Sequence, residues 1–414
     1  MSGQAFITGL GIVSPIGVGR EAFLEGLRAG RSALAPLRGL DRSEFRIGSG
    51  GEVDEGALGG DGDLQEGRAL TFALRACREA IADAGLAAAS LPPETTLALG
   101  SGAGEMRAME RSMGQPEEEL SLEARDPVQP PSAITSKLAL RLGLRGRLLT
   151  FINACAAGAQ AIAVAADLVR SGRAEVAVAG GVEIINRMVM SGFEALRAVS
   201  PTGCHPFDGE RDGIQLGELA AFVVLESGGR VRERGARPYA RVAGSGASAD
   251  AFHVVRPDEQ GAGAVLALRR ALGAAGLAPD DIDYVNAHGT GTVQNDPAEL
   301  MAIERVFGQR AARLPISATK SMLGHALGAS GAAEAVICAL ALREGFLPPT
   351  AGLRRPIEGY GGFDFVTGTA REGVGLRHVA SSAFAFGGNN VVLILSAAGG
   401  DAEVIAQEDR PLRR

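Results

Sequence analysis

Residues 148–180 have the sequence LLTFINACAAGAQAIAVAADLVRSGRAEVAVAG, and this stretch contains the pattern that decides the fold class. An apolar segment at 148–153 is followed by small residues with helical spacing at 156–171 and by a second apolar segment at 174–180. Strands that are apolar throughout and alternate with helices are typical of parallel sheets covered by helices on both faces. The stretch therefore predicts a strand–helix–strand unit of an α/β fold.

The segments before this stretch extend the same pattern. We predict a buried strand that ends in a Gly turn at 4–13, a helix at 68–85 and a short strand at 95–101. Residues 38–66 are rich in Gly and charged residues, which predicts an exposed loop. The polar, acidic stretch 105–131 predicts an excursion on the surface.

The second half of the chain repeats this plan. Residues 239–248 (YARVAGSGAS) resemble residues 5–14 (AFITGLGIVS), because each is a strand-like run interrupted by Gly-x-Gly. We predict a helix at 262–275, a strand at 282–287 and a long helix of small residues at 322–343. The repeated order indicates an internal duplication.

The length of the chain agrees with a duplication. A chain of 414 residues is too long for one small domain and suits two or three domains or one large duplicated core. We interpret it as two similar α/β halves, residues 1–235 and 236–398. The polar residues 399–414 form a tail that we expect to fray.

Composition excludes several classes of function. Aromatic residues make up 4% of the chain, with no Trp and three Tyr, which argues against a platform on which nucleic-acid bases stack. The net charge of −7 argues against binding of polyanions through bulk charge, although a local Arg patch suits an acidic partner. We therefore expect no nucleic-acid partner.

The cysteine pattern and the N-terminus favour a cytoplasmic protein. The four cysteines are widely spaced, with no Cys-x-x-Cys pair, which argues against a disulfide framework or a cysteine zinc site. The N-terminal MSGQAFITG has no basic region before its apolar part and predicts a strand, not a signal peptide. No uncharged apolar run is long enough to span a membrane, since the best candidate, 327–342, contains Glu334.

Cys155 is the first candidate for chemistry. It lies in the segment NACAAG at a predicted junction between strand and helix. A thiol at a helix N-terminus is near unpaired N–H groups and the positive end of the helix dipole, and both lower a thiol pKa. A buried, inert cysteine is an equally good interpretation of this segment alone.

Two of the five histidines are the next candidates. His288 follows a predicted strand and His325 lies at the start of a predicted helix, at the kind of junction where active sites of open α/β sheets gather. Each of the two is more easily explained as a structural histidine when taken alone. Chance less easily explains why Cys155, His288 and His325 all lie at such junctions. A zinc site is a weaker hypothesis, because the ligands lack the short spacing of zinc sites.

The Gly-rich segment 384–390, FAFGGNN, is ambiguous on its own. Its glycines permit a tight turn that aims backbone N–H groups at an anion, as an oxyanion hole does. A plain turn between two strands is the favoured interpretation of this segment taken alone.

These residues together form a familiar pattern. The chain resembles β-ketoacyl-acyl-carrier-protein synthases of the elongating Cys-His-His type, which act in fatty-acid and polyketide synthesis. The resemblance covers nearly the whole chain, from about residue 5 to 395. Besides the Cys155 segment, the matching motifs in chain order are ITGLGIVSPIG at 7–17, HPFDGERDGIQLGE at 205–218, NAHGTGT at 286–292, KSMLGHALGASGAAEA at 320–335 and FAFGG at 384–388.

The resemblance implies a thiolase-like fold, in which two similar α/β halves stack in five layers, αβαβα, and the protein is usually a dimer. It also implies a decarboxylative Claisen condensation. An acyl group is carried on the thiol of Cys155. His288 and His325 hydrogen-bond the thioester oxygen of malonyl-acyl-carrier protein as it loses CO2, and the resulting enolate attacks the acyl group. Such donors typically contribute about 10²–10³ in rate each.

The resemblance also assigns supporting residues. Backbone N–H groups of Cys155 and Phe386 form an oxyanion hole in this family, and the Phe is a gate to the acyl pocket. The remaining assignments are Lys320 and Glu334 as an ion pair that supports His325, Thr290 and Thr292 as hydrogen-bonding partners of the phosphopantetheine arm, and Asp296, Asp208, Arg211 and Asp212 as structural residues. We expect no metal and no cofactor beyond phosphopantetheine on the acyl carrier protein.

Four positions depart from the family pattern. Asn153 stands where Thr or Ser is frequent two places before the cysteine, and Asn389 stands where Thr is common. Asn295 replaces a Gly that usually precedes the acid. Ala385 replaces the Gly before the gating Phe, and because Ala tolerates positive φ less well, we expect a stiffer or reshaped gate. The departures remove no catalytic group and make a ketosynthase of specialised metabolism plausible.

Other members of the superfamily fit less well. A chain-length-factor subunit typically lacks the nucleophile, whereas Cys155 is present here. A thiolase carries a second cysteine in the C-terminal Gly-rich loop, and a Cys-His-Asn synthase has Asn at the position of His325. A non-catalytic or heterodimer-dependent ketosynthase subunit remains the alternative function. The expected partners are an acyl carrier protein and a second ketosynthase-like chain, identical or degenerate.

Overall fold

A computed structural model describes residues 3–58, 67–113 and 130–399 of the chain. Parts of the predicted loop at 38–66, of the excursion at 105–131 and of the tail at 399–414 lie outside these ranges. The first half contains β1 (Ala5–Ser14), β2 (Gly17–Val18), α1 (Arg20–Arg28), β3 (Leu34–Pro36), β4 (Ser49–Gly51), α2 (Arg68–Asp83), β5 (Thr96–Gly100), α3 (Met106–Ser112), α4 (Pro131–Leu142), β6 (Leu148–Phe151), α5 (Ala157–Arg170), β7 (Val176–Glu183), α6 (Arg187–Ala195), β8 (Leu216–Gly217), β9 (Leu219–Ser227) and α7 (Gly228–Glu233).

The second half repeats the order of the main elements of the first. Residue 235, the predicted boundary between the halves, falls between α7 and the next strand; this boundary stays a prediction. The elements are β10 (Ala240–Ala249), α8 (Ala262–Ala275), β11 (Tyr284–Asn286), α9 (Asn295–Phe307), β12 (Ile316–Ser317), α10 (Lys320–Leu323), α11 (Leu327–Glu344), β13 (Phe346–Leu347), β14 (Arg371–Glu372), β15 (His378–Phe384) and β16 (Asn389–Ala397).

The main sheet shows the duplication directly. Its strand order is β12-β11-β15-β16-β10 in the second half, continuing into β1-β9-β7-β5-β6 in the first. Numbered within each half, both orders are 3-2-4-5-1. The halves join where β1 pairs with β10 through Phe6 and Ile7. The similarity between residues 5–14 and 239–248 is therefore a similarity between equivalent strands.

The prediction of parallel sheets is correct for only part of each half. β5, β6 and β7 are parallel to one another, as are β11, β12 and β15, but β7 and β15 also pair antiparallel with β9 and β16. β1, β9, β10 and β16 pair antiparallel. The connection between β15 and β16 is only the short FGG turn, and a connection this short permits only antiparallel pairing.

The helices complete five layers, αβαβα. α5 and α11 lie between the two halves of the sheet and share one apolar core with both. α2 and α4 cover the outer face of the first half, and α8 and α9 cover the outer face of the second. Among the described residues, no helix combines the length and the apolar character that crossing a bilayer requires.

The Gly-x-Gly motif of β1 allows a helix to lie directly on a strand. A Cβ atom at Gly9 would lie 2.0 Å from the carbonyl oxygen of Ala80, and one at Gly11 would lie 1.9 Å from that of Ala76. Gly244 and Gly246 of β10 leave the same space for α8. The predicted Gly turn at the end of 4–13 is therefore wrong, because β1 runs through both glycines.

The helix predicted at 322–343 is two helices. α10 ends at Leu323 and α11 begins at Leu327, and the three residues between them leave the helical path. Gly324 has φ 76 and Leu327 has φ 38, so the chain turns sharply on both sides of His325. The break brings the His325 side chain to the carboxyl end of the neighbouring strands.

Candidate active site

Cys155, His288 and His325 meet at one point between the two halves. The Cys sulfur and one ring nitrogen of each histidine all lie within 4.8 Å of one another. The two imidazole rings are 5.3 Å apart and nearly perpendicular. All three side chains are at most 5% exposed, and they line a cavity of about 330 Å³ that opens to the surface. The structure therefore brings the three predicted residues together.

Cys155 lies in a single 3-10 turn, Ala154–Ala156, between β6 and α5. The preceding residue, Ala154, has φ 50, a strained backbone conformation of the kind that functional sites retain. Burial raises the pKa of the Cys155 thiol to about 12, although the charge of Lys320 and the backbone N–H groups of Phe386 and Cys155 act to lower it. The prediction of a lowered thiol pKa is therefore wrong, since loss of solvation outweighs the position near a helix start.

Lys320 fixes the orientation and tautomer of His288. Its ammonium group has three donors and no acceptor. These donors bond to Nδ1 of His288 at 3.2 Å, to the His288 carbonyl oxygen at 2.5 Å and to a carboxylate oxygen of Glu334. Because Nδ1 must accept, the ring proton of neutral His288 is on Nε2. The predicted pair of Lys320 and Glu334 therefore exists, but it contacts His288 and not His325.

His325 is held mainly through its backbone and a hydroxyl group. Its N–H donates to the carbonyl oxygen of Gln215 at 2.7 Å, and its carbonyl accepts from Gly217 at 3.0 Å. Its ring Nδ1 lies 3.0 Å from Oγ of Ser330, which can donate or accept. Burial and the charge of Lys320 hold the pKa of both imidazoles well below the ordinary histidine value, so both rings are neutral at pH 7.

Glu334 is the buried acidic partner of Lys320. Burial raises its pKa to about 7, and the charge of Lys320 opposes the increase. One carboxylate oxygen bonds to Lys320, and the other has no hydrogen-bond partner among the described residues. Lys320 and Glu334 thus form a buried pair, and the ionised carboxylate depends on the ammonium group for its stabilisation.

Two buried carboxylates hold the His288 loop, defined as residues 288–291. Glu299 accepts the N–H groups of His288 and Gly289 at 2.7 and 2.8 Å. Asp296 accepts those of Thr290 and Gly291 at 3.0 and 3.1 Å. These bonds are of the structural kind that the resemblance implies for Asp296. Sequence analysis missed Glu299, although a second acid three residues after Asp296 on an apolar helix face was a usable signal.

A third buried carboxylate, Glu183, was also missed. It accepts N–H groups of Gly102, Ala103 and Gly328 at 2.7, 2.9 and 3.1 Å, which joins the end of β5 to the start of α11. Burial raises its pKa to about 7. Its only sequence signal is a carboxylate that ends the apolar strand β7, and this signal does not reveal its partners.

The Gly-rich turn supplies the backbone near Cys155. Gly387 and Gly388 have φ 82 and 71, which explains why glycine occupies both positions. The ring of Phe386 stacks on Phe193 of α6 at 5.6 Å. Ala385 has φ −133, an ordinary extended conformation, so the strain expected at this position is absent, and a stiffer or reshaped gate stays a prediction.

The remaining predicted residues lie at the cavity wall or behind it. Thr290 and Thr292 line the cavity, and their hydroxyl oxygens are 2.9 Å apart. Arg211 donates to the carbonyl oxygens of Thr292 and Val293 at 3.0 and 3.1 Å, which ties the segment after the His288 loop to the 205–218 motif. Contact of the two threonines with phosphopantetheine stays a prediction.

Comparison with known proteins now identifies the family. Residues 4–229 match the family described as "Beta-ketoacyl synthase, N-terminal domain", and residues 239–354 match "Beta-ketoacyl synthase, C-terminal domain". The chain belongs to the β-ketoacyl synthase family. Its fold is thiolase-like, and the predicted fold class is confirmed.

Three relatives show how far the similarity extends. The 3-oxoacyl-[acyl-carrier-protein] synthase 2 of Coxiella burnetii is 37% identical, over 95% of this chain and 98% of its own. The structure of the ishigamide ketosynthase/chain length factor has a TM-score of 0.87 and 35% identity, over 96% of this chain and 100% of its own. A type II polyketide ketosynthase solved in complex with its acyl-carrier protein has a TM-score of 0.88 and 28% identity, over 96% of this chain and 100% of its own.

The chemistry of the cluster does not favour a metal. Cys155, His288 and His325 are close enough in space to share an ion, but their positions in the sequence lack the short ligand spacing of common zinc sites. The ammonium group of Lys320 adjoins His288 and repels a second cation. We do not assign these residues as metal ligands, and the absence of a metal stays a prediction.

Proposed function

We propose that this ketosynthase catalyses decarboxylative condensation of malonyl-acyl-carrier protein with an acyl group carried on Cys155, giving β-ketoacyl-acyl-carrier protein. The observation that carries the proposal is the convergence of one thiol and two neutral imidazoles within 4.8 Å in a buried cavity. The reaction needs a nucleophile for acyl transfer and hydrogen-bond donors for an enolate, and these groups supply both.

Acyl transfer is the first half-reaction. The Cys155 sulfur attacks the acyl thioester while its proton passes to Nε2 of His325, and the carrier-protein thiol leaves with that proton. His325 suits this role because Ser330 can accept from Nδ1 and leave Nε2 free to receive a proton. His288 does not, because Lys320 keeps its Nε2 protonated. The developing oxyanion lies on the N–H groups of Cys155 and Phe386.

Decarboxylation and condensation form the second half-reaction. The malonyl group loses CO2, and its electron pair becomes an enolate whose oxygen accepts a hydrogen bond from Nε2–H of His288. His325 donates a second bond from Nε2–H in its other neutral tautomer, in which Nδ1 accepts from the Ser330 hydroxyl. The enolate carbon attacks the acyl thioester, a carbon–carbon bond forms, and the Cys155 thiolate leaves and takes up a proton from solvent. Neutral imidazoles suit this step because they donate hydrogen bonds without competing as acids.

The substrates and partners follow from the same proposal. Both acyl groups arrive on the phosphopantetheine arm of an acyl carrier protein, with Thr290 and Thr292 as its hydrogen-bonding partners in the cavity. The protein functions as a dimer with a second ketosynthase-like chain, and no prosthetic group or metal takes part. We place the protein in the cytoplasm, in keeping with four free, buried cysteines.

Intact mass spectrometry tests the proposal. The protein is incubated with acyl-carrier proteins that bear acyl chains of several lengths, and Cys155→Ala serves as the matched control. We expect the mass of the wild type, and not of the variant, to increase by one acyl group, and the preferred length reports the depth of the pocket. Failure of every acyl donor would contradict stand-alone catalysis and favour a subunit that depends on a heterodimer partner.

A further inference from the structure

Asn295 touches, through its side chain, the carboxylates that hold the His288 loop. It is the first residue of α9 and lines the cavity. Its side-chain Nδ2 lies 3.2 Å from Oδ1 of Asp296 and 3.5 Å from Oε2 of Glu299. One amide group thus contacts both carboxylates, and a Gly at this position has no side chain to do so.

The geometry makes the charge state of these carboxylates important. The two groups accept four successive N–H groups of the His288 loop, and both Glu299 oxygens are occupied. A protonated carboxyl has one oxygen that carries hydrogen and accepts poorly. Protonation of Glu299 therefore releases His288 or Gly289 from its bond. The loop that positions the catalytic imidazole depends on keeping both groups ionised.

We propose that Asn295 is a positioning residue, whose amide bridges the buried Asp296–Glu299 pair and so keeps the His288 loop in its catalytic geometry near neutral pH. The inference rests on the proposed function of that site. It adds a role for a residue that touches none of the reacting atoms.

The electrostatic surroundings support this role. Burial and the neighbouring charge of Asp296 raise the pKa of Glu299 to about 7, against the N–H groups of Gly289 and His288 and the charge of Lys320 in α10, which lower it. Burial also raises the pKa of Asp296, whereas the Asn295 amide and Arg211 lower it. The other titratable groups facing the pair are the Cys204 thiol and the His288 ring. Asn295 is thus a donor that favours the ionised form of Asp296, and its amide also reaches Glu299 at 3.5 Å.

Asn295→Ala tests the proposal through two readouts that move in opposite directions with pH. The first is the rate of decarboxylation of malonyl-acyl-carrier protein. Without the amide the carboxylates retain protons to higher pH, so we expect about three- to tenfold less activity than wild type at pH 6 and agreement within about twofold at pH 8. Asn295→Asp, which adds a third negative charge, should shift the profile further.

The second readout is thermal unfolding and needs no activity. An acid whose folded pKa is raised binds more protons folded than unfolded, so its effect on stability becomes less favourable as pH rises through that pKa. Loss of the amide raises the folded pKa further. The deficit in melting temperature of Asn295→Ala should therefore be larger at pH 8 than at pH 5. Glu304→Gln, on the exposed face of α9, is the matched control and should show no such pH dependence.

The two readouts separate the possible failures. If the ratio of variant to wild-type activity and the melting-temperature deficit are both independent of pH, Asn295 only packs and the inference is overturned. If wild-type protein decarboxylates no malonyl-carrier protein at any pH, the proposed function fails, and the melting temperatures alone decide whether Asn295 supports the carboxylate pair.

Discussion

At the scale of single residues, the structure assigns Lys320 a more central role than sequence analysis did. All three of its donors are used, two of them on His288. We predict that Lys320→Met lowers malonyl decarboxylation by about 10²–10³, because His288 loses the contact that keeps its proton on Nε2. Acylation of Cys155 should decrease less, since the backbone N–H groups of Cys155 and Phe386 remain. Separate assays of the two half-reactions check this.

Stability measurements show whether Lys320→Met loses activity through its effect on His288 or only because the protein unfolds. Lys320→Met leaves Glu334 as an unpaired buried acid, and breaking a buried pair in this way costs about 3–5 kcal/mol. Replacing both partners, as in Lys320→Met with Glu334→Leu, should recover most of that loss in the free energy of unfolding. The double variant should still decarboxylate poorly. Recovery of activity together with stability would contradict the assigned role.

At the scale of elements, the contact of α8 with β10 depends on glycine. A Cβ atom at Gly246 would lie 2.2 Å from the carbonyl oxygen of Ala267, so helix and strand must separate to admit it. We predict that Gly246→Ala destabilises the protein by about 3 kcal/mol. A Cβ atom at Gly273 of the same helix would enter open space, and Gly273→Ala should stabilise by about 0.5–1 kcal/mol. Denaturant unfolding of both variants measures the difference.

The same elements show what the sequence could and could not predict. The alternation of apolar and helical segments predicted the α/β class and α8 with its bounds, because these depend on local periodicity. The first Gly-x-Gly motif wrongly predicted a turn, because a contact with a helix more than 60 residues away has no local signal. The break around His325 was missed for a similar reason, since its backbone bonds reach Gln215 and Gly217.

Some features of the active site could also be predicted from the sequence, and others could not. Cys155, His288 and His325 were predicted because motifs report residue type and order. The direction of the thiol pKa was wrong, because burial depends on how the two halves close over the site. The contact of Lys320 with His288, and the four N–H groups held by Glu299 and Asp296, depend on side-chain paths that no spacing rule contains.

At the scale of the whole molecule, β6 ends the main sheet, and no strand among the described residues pairs with its outer edge. Leu148 of β6 and the adjacent Ile152 are 43% and 60% exposed, and an open apolar edge is a template for pairing with another chain. We predict that Leu148→Lys reduces the molecular mass in solution from dimer to monomer. Leu266→Lys, at a 42% exposed leucine on α8, should leave the mass unchanged.

Light scattering coupled to size-exclusion chromatography makes this comparison, and the wild type decides between two kinds of dimer. A wild-type homodimer that only Leu148→Lys dissociates would place the interface at β6. A wild-type monomer that becomes a dimer only with a degenerate ketosynthase-like chain would make the pairing at β6 a heterodimer. If Leu148→Lys and Leu266→Lys both keep the mass of a dimer, the interface lies elsewhere. Since β6 leads directly into the turn that carries Cys155, an interface at this edge couples assembly to the nucleophile.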